Sequence, residues 1–214
     1  MIGIYGGTFD PVHYGHLRTA VEIKALFKLS EVRLIPCARP PHRDAPMTDA
    51  EQRLTMLHLA LDGQPGLIVD DCEIRRKGPS YTIDTLVHLK TLVVSEALIL
   101  FMGTDAFAGI DKWYQWQRLL DYAHIVVITR PGYQMPRPTQ ENFGAHWVSE
   151  RAQLETDQAG KVYFQTLTQL DISATAIRTL LQQGQDARFL LPDKVLNFIQ
   201  QHHLYQATPF NLEK

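Results

Sequence analysis

The densest chemistry in this 214-residue chain lies in Gly6-Gly7-Thr8-Phe9-Asp10-Pro11-Val12-His13-Tyr14-Gly15-His16. Two imidazoles stand three residues apart behind paired glycines, between a short apolar run and an amphipathic stretch. Gly6 and Gly7 let the backbone of this loop, with Thr8 and Phe9, approach a phosphate closely. The start of a following helix would add unpaired N–H groups and the positive end of a dipole. If that helix begins near His13, both rings lie on one side and face the same anion. Gly15 between them has no side chain to block a flat group such as adenine. The alternatives are a simple tight turn, two surface histidines, or a fragment of a metal site with Asp10 as a conceivable partner. No further His, Cys or carboxylate stands at a clear ligand spacing, which disfavours the metal.

A second segment of the same kind is Ile172-Ser173-Ala174-Thr175-Ala176-Ile177-Arg178. Ser173 is a good helix N-cap, and capping alone explains it. Capping does not explain Thr175 and Arg178, three apart and therefore on one helical face. Hydroxyls, helix N–H groups and a guanidinium together suit a polyphosphate tail. Other nucleotide loops are disfavoured. No G-x-x-x-x-G-K-[ST] occurs, the first loop reads Gly3-x-x-Gly6-Gly7 and not G-x-G-x-x-G, and the second strand ends at Pro36 and Cys37 where a ribose-binding acid would be expected.

Both segments need strands to deliver them. Short apolar runs over Ile2 to Tyr5, Val32 to Ile35, Leu67 to Val69, Ala97 to Met102 and Ile125 to Ile128 read as buried parallel strands, and a further strand is expected near Val162 to Leu167. Helical spacing lies between most of them. Leu17, Ala20, Val21, Ile23, Leu26 and Phe27 mark the first helix. Leu54, Leu57 and Leu61 mark the second, behind a capping box of Thr48 and Glu51. Ile83, Leu86 and Val87 mark a third, and Trp116, Leu119, Leu120 and Ala123 a fourth. Near the end, Ile177, Leu180 and Leu181 stop at a Gly184 cap, and Val195, Phe198 and Ile199 follow Pro192. The alternation predicts an α/β fold, a Rossmann-like doubly wound parallel sheet, with a small helical part at the carboxyl end. Pro131 to Gly160 lacks periodicity and reads as a long surface excursion. One domain over 1–214 is expected, with a core over 1–170 and the helical part over 171–214.

Composition narrows the function. Lys and Arg number 21 against 23 Asp and Glu, so no broad positive field would hold nucleic acid. Cys37 and Cys72 form no C-x-x-C pair and suit a reduced, cytoplasmic setting. The amino terminus has no basic leader with a long apolar segment, and no apolar run approaches the roughly 20 residues that span a bilayer. Neither a membrane nor a nucleic acid is expected as a partner, and self-association is left open.

At its two loops the chain resembles the nucleotidylyltransferase superfamily, with its T/H-x-G-H loop and I-S-S/A-T-x-I-R helix start. His13-Tyr14-Gly15-His16 fits the first, and Ile172 to Arg178 fits the second with Ala174 where many relatives have Ser. Class I aminoacyl-tRNA synthetases share the first motif, but this chain is short and lacks their lysine-rich signature. Narrower features resemble the bacterial nicotinate-nucleotide adenylyltransferases nearly end to end. They are the Gly6 to His16 block, Pro40-Pro41-His42-Arg43, Ser80-Tyr81-Thr82, Gly103-Thr104-Asp105, Trp113-Tyr114 and Arg130-Pro131-Gly132-Tyr133.

The resemblance implies transfer of AMP from ATP to the 5′-phosphate of nicotinate mononucleotide, with Mg2+ accompanying the triphosphate. It implies His13, His16 and Arg178 as catalytic residues. ATP would be held by Gly6, Gly7, Thr8, Phe9, Gly15, Gly103, Asp105, Ile172, Ser173, Thr175 and Arg178. Arg43, Tyr81, Thr82, Asp105, Trp113 and Tyr114 would bind the acceptor, Trp113 as a stacking face and the backbone near Thr82 and Tyr114 as donors to the carboxylate. A sister enzyme acting on another phosphomonoester, a non-catalytic nucleotide sensor and a histidine-based metal protein are the alternative readings.

Overall fold

A computed structural model describes residues 1–39, 45–129 and 143–206. Six strands form one parallel sheet in the order β3-β2-β1-β4-β5-β6. They are β1 (Ile2–Gly7), β2 (Glu31–Pro36), β3 (Leu67–Val69), β4 (Leu98–Gly103), β5 (His124–Thr129) and β6 (Val162–Thr166). Each expected strand is present to within one or two residues. Such uniformly apolar runs suit strands covered on both faces, because side chains alternate. Leu98, Leu100 and Met102 of β4 pack with Ile125 and Val127 of β5 on one side of the sheet. Ile99, Phe101 and Val126 take the other side.

The helices divide between those faces. Helices α1 (Tyr14–Leu26), α2 (Ala50–Leu61), α7 (Ala174–Gln182) and α8 (Asp193–Gln201) contribute Ile23, Leu57, Ile177 and Val195 to the core holding Phe101. Helix α4 (Thr82–Leu92), the short α5 (Thr104–Ala108) and α6 (Leu119–Tyr122) supply Leu86, Phe107 and Leu119 to the other. A four-residue helix α3 (Cys72–Arg75) follows β3. The order reverses between β1 and β4, so the crevice at their carboxyl ends is the topological switch point where open α/β sheets collect ligands.

Several local expectations are corrected. Thr48 does not cap α2, because its hydroxyl is drawn 2.6 Å to the buried carboxylate of Asp10. Asp49 caps the helix in its place, accepting the Gln52 N–H at 2.7 Å. Val21 and Val87 face solvent, and Leu196 is buried more fully than Phe198. The fourth helix begins as a 3-10 turn over Trp116–Arg118 before α6. The stretch read as a surface excursion is anchored where it is described: Phe143 and Leu154 are buried, Phe143 beside the rings of Phe107 and Trp116. Gly184 ends α7 as expected, at φ 68°. The N–H groups of Gly184 and Gln185 return to Leu181 and Leu180, a Schellman closure. The carboxyl-terminal helices share the core of the sheet, and Lys194 of α8 pairs with Asp62 at the end of α2. Among the described residues no helix is long and apolar enough to cross a membrane.

Candidate active site

The strand-to-helix turn after β1 is built around two aromatic rings. Phe9 takes a left-handed φ of 51°, an uncommon choice for a bulky residue, and sends its ring into the core. That ring lies edge-on to His16 with centroids 5.0 Å apart. Gly7 is required by the same packing, since a Cβ there would come within 2.9 Å of the Phe9 ring. The side chain of Phe9 is therefore a floor for His16, and only its backbone is left to face a ligand.

His13 is the N-cap residue of α1 and His16 occupies its first turn. Their rings are 3.8 Å apart, centroid to centroid, and His16 Nδ1 accepts the backbone N–H of His13 at 3.4 Å. His13 Nδ1 is buried without a partner. A buried N–H with no acceptor costs more than a bare lone pair, so the proton of neutral His13 belongs on Nε2. His16 reaches the same tautomer because its Nδ1 is an acceptor. Both histidines thus present Nε2–H donors.

Burial holds the imidazoles neutral, lowering His13 to about 4 and His16, which also feels His13, to about 3. Between those values and the unfolded value of about 6.5 the unfolded chain binds protons that the folded chain refuses. Folding stability must therefore fall as pH drops below 6.5, by at most about 1.4 kcal/mol per pH unit for each fully titrating ring. The partial exposure of His16 reduces its share, and buried His124, also pushed down by burial, adds its own. Denaturant titrations at pH 7.5 and 5 should show this loss, and a His13→Asn/His16→Asn double variant should lose less. Equal slopes in the two proteins would contradict the burial argument.

The second loop meets the first. A Cβ on Gly15 would stand 3.0 Å from the His13 ring and 3.4 Å from the carbonyl oxygen of Ile172. Ser173 caps α7, accepting the Ala176 N–H at 3.1 Å. Arg178 donates from Nη1 to the carbonyl of Asp10 at 2.7 Å and from Nη2 to Thr175 Oγ1 at 3.3 Å. Two helix amino termini are thus tied side by side. Among the described residues, each of the other six α-helices carries an acid in its first turn: Glu51, Glu73, Asp84, Asp105, Asp121 and Asp193. Helices α1 and α7 carry none. Their uncompensated dipole ends make this corner attractive to a polyanion.

Bare backbone flanks the corner. Tyr5 of β1 is opposite Phe101 of β4, and Gly6 and Gly103 lie just past that pair. A Cβ on either glycine would meet nothing within 4 Å. Asp105 is exposed in the first turn of α5 and does not cap it.

From β1 the rim runs toward β2. The Cys37 N–H donates to the Gly7 carbonyl at 2.9 Å, and Ser80 Oγ accepts the N–H groups of Ala38 and Arg39 at 3.1 and 3.2 Å. Tyr81 and Thr82 follow as the cap and first residue of α4, whose opening N–H groups have no side-chain cap. The Tyr81 and Tyr114 rings lie 4.5 Å apart, which joins the Thr82 segment to half-buried Trp113. Arg43 and the Arg130 to Tyr133 block lie outside the described residues.

Arg53 and Tyr205 matter here and were not singled out in the sequence, and Asp10 has another role than the one considered there. Arg53, only 1% exposed, donates to the carbonyls of Thr8 at 2.8 Å and Cys37 at 2.7 Å, clamping the exits of β1 and β2 together. Its signal was a charge at helical spacing from buried Leu57 and Ala60. Asp10 is no metal partner, because its buried carboxylate is taken by Met47 N–H, Thr48 and Tyr205. Tyr205 gave no sequence signal. A cavity of about 510 Å³ between Met1, Phe27, Lys28, Arg151 and Tyr163 lies at the amino-terminal edge of the sheet, away from this rim.

Comparison with known proteins agrees with this geometry. Residues 4–180 match the cytidylyltransferase-like family. A probable nicotinate-nucleotide adenylyltransferase of Pseudomonas paraeruginosa is 46% identical over 209 residues, covering 96% of this chain and 97% of that protein. The chain belongs to the nicotinate-nucleotide adenylyltransferase family. Another similar member, from Hahella chejuensis, is 47% identical over 210 residues and covers 96% of both chains. Among solved structures, the nicotinic acid mononucleotide adenylyltransferase of Plasmodium falciparum complexed with NaAD has a TM-score of 0.74 at 19% identity, covering 95% of this chain and 96% of that one. That likeness shows the fold: a nucleotidylyltransferase α/β sheet.

Proposed function

We propose that this adenylyltransferase moves AMP from ATP to the 5′-phosphate of nicotinate mononucleotide, giving nicotinate adenine dinucleotide and pyrophosphate, a step of NAD biosynthesis. The observation that carries the reading is the pair of acid-free helix starts tied together beside two neutral Nε2–H imidazoles. The family names of the relatives point to the same substrates.

An oxygen of the acceptor phosphate attacks the α-phosphorus. A new P–O bond forms as the bond to the bridging β-oxygen breaks, and pyrophosphate leaves with the electron pair. The acceptor phosphate is already ionised near neutral pH, so neither a covalent enzyme intermediate nor a strong base is needed. The protein must align two repelling anions and stabilise charge on the α-phosphate. His16 and His13 donate to the phosphates, with His16 nearest the reacting phosphorus. The α7 amino terminus with Ser173, Thr175 and Arg178 grips the β- and γ-phosphates.

Gly6, Gly7, Thr8, the Phe9 backbone, Gly15, Gly103 and Ile172 line the nucleotide's path, and Asp105 takes its ribose or an indirect metal contact. Trp113 stacks on the pyridine ring, and the N–H groups near Thr82 and Tyr114 receive its carboxylate. Tyr81, packed on Tyr114, keeps that subsite together, while Arg43 draws in the acceptor phosphate. Among the described residues no three His, Cys, Asp or Glu side chains cluster to hold a metal ion. Magnesium would accompany ATP, carried chiefly by phosphate oxygens and water, and would neutralise charge on the triphosphate.

The test is pyrophosphate release from ATP and magnesium with each pyridine mononucleotide in turn. Clear turnover with nicotinate mononucleotide and much less with the amide is expected. Equal rates would remove the acid preference, and no rate with either would remove the reaction.

A further inference from the structure

Asp10 sits three residues before His13 and is 4% exposed. A carboxylate so placed is tolerated only when its oxygens are well supplied with donors. Here Oδ2 accepts the Met47 N–H at 2.8 Å, while Oδ1 accepts both the Thr48 hydroxyl and the Tyr205 hydroxyl at 2.6 Å. The main-chain carbonyl of the same residue accepts Arg178 at 2.7 Å. Asp10 therefore joins four parts of the chain: the histidine loop, the approach to α2, α7, and the segment after α8.

Tyr205 comes furthest in sequence to reach this node. Its backbone is left-handed, at φ 61°, and its side chain is buried. A non-glycine residue in that region is strained and persists only where its surroundings over-determine it. Burial and the Asp10 carboxylate push its phenol far above the ordinary range, so the hydroxyl remains a donor at every working pH. Short bonds from a neutral donor to a carboxylate are among the stronger ones in proteins.

We propose that Tyr205 is a positioning residue: its hydroxyl on Asp10 fixes the loop carrying His13 and His16 relative to Arg178. The carboxyl-terminal segment thereby sets how the imidazoles reach the nucleotide phosphates. This rests on the adenylyl-transfer reading only for the identity of the reaction; the nucleotide-binding consequence stands apart from it.

Tyr205→Phe removes one hydroxyl and keeps the ring that fills the space. Steady-state kinetics beside the wild type should show kcat down about tenfold, KM for ATP up several-fold and KM for the acceptor within twofold. Calorimetry with a non-hydrolysable ATP analogue and magnesium should show affinity weakened several-fold. A melting curve should confirm that the variant is folded at the assay temperature.

If kcat and KM for ATP both stay within twofold, the proposal is wrong. It is equally wrong if kcat falls with both KM values unchanged and in step with the folded fraction, the signature of a purely structural residue. Should Tyr205→Phe fail to fold, Thr48→Val removes the other hydroxyl from the same oxygen and is held to the same outcomes. A wild type without turnover refutes the reaction, and analogue affinity then decides the proposal by itself.

Discussion

Replacing His16 with alanine lowers turnover by about a hundredfold or more and leaves ATP affinity within a few-fold. The imidazole is neutral, with burial holding it at about 3, so it acts as a hydrogen-bond donor and not as a standing positive charge. Such a donor matters most when charge develops on the α-phosphate and less in the ground state. Its direction is set by Phe9 beneath the ring and by the His13 N–H on Nδ1. Those supports survive the substitution, so the loss reports the missing donor. Single-turnover rates with separately measured ATP affinity make the check. Unchanged turnover, or a loss confined to binding, would contradict the role given to His16.

Arg178→Lys lowers kcat/KM for ATP by about a hundredfold, although the positive charge is retained. One guanidinium spans the Asp10 carbonyl and the Thr175 hydroxyl while leaving further N–H groups for phosphate. A lysine ammonium is a point charge without that planar fork and can keep only part of the set. Because Arg178 is half-buried and makes no ion pair to a carboxylate in these bonds, the melting temperature should move by only a few degrees. Steady-state kinetics with ATP varied, together with a thermal melt, separate the two effects. A lysine variant within threefold of the wild type would show that charge alone suffices there.

The parts of the site legible in the sequence were those with local causes. The central strands could be read because a strand covered on both faces is apolar at successive positions, as in Leu98 to Met102. The cap at Ser173 and the stop at Gly184 were legible because each depends on a few neighbouring residues. The histidine loop could be recognised because its residue types and spacing lie within one turn. Thr48 misled for the opposite reason. Its hydroxyl had a local use as a cap, but a buried carboxylate far away in sequence offered a stronger partner.

What the sequence determined by itself, then, was the parallel α/β sheet, the two strand-to-helix loops and the family to which they belong. Tertiary structure alone decided that the two loops share one corner, with Ile172 against Gly15 and Arg178 on Asp10. It also decided which groups hold them there: buried Arg53 on the carbonyls of Thr8 and Cys37, and Tyr205 on Asp10. Periodicity and capping act over a few residues and leave a mark in the chain. A hydrogen bond between residues 10 and 205 leaves none until the sheet has brought its ends together.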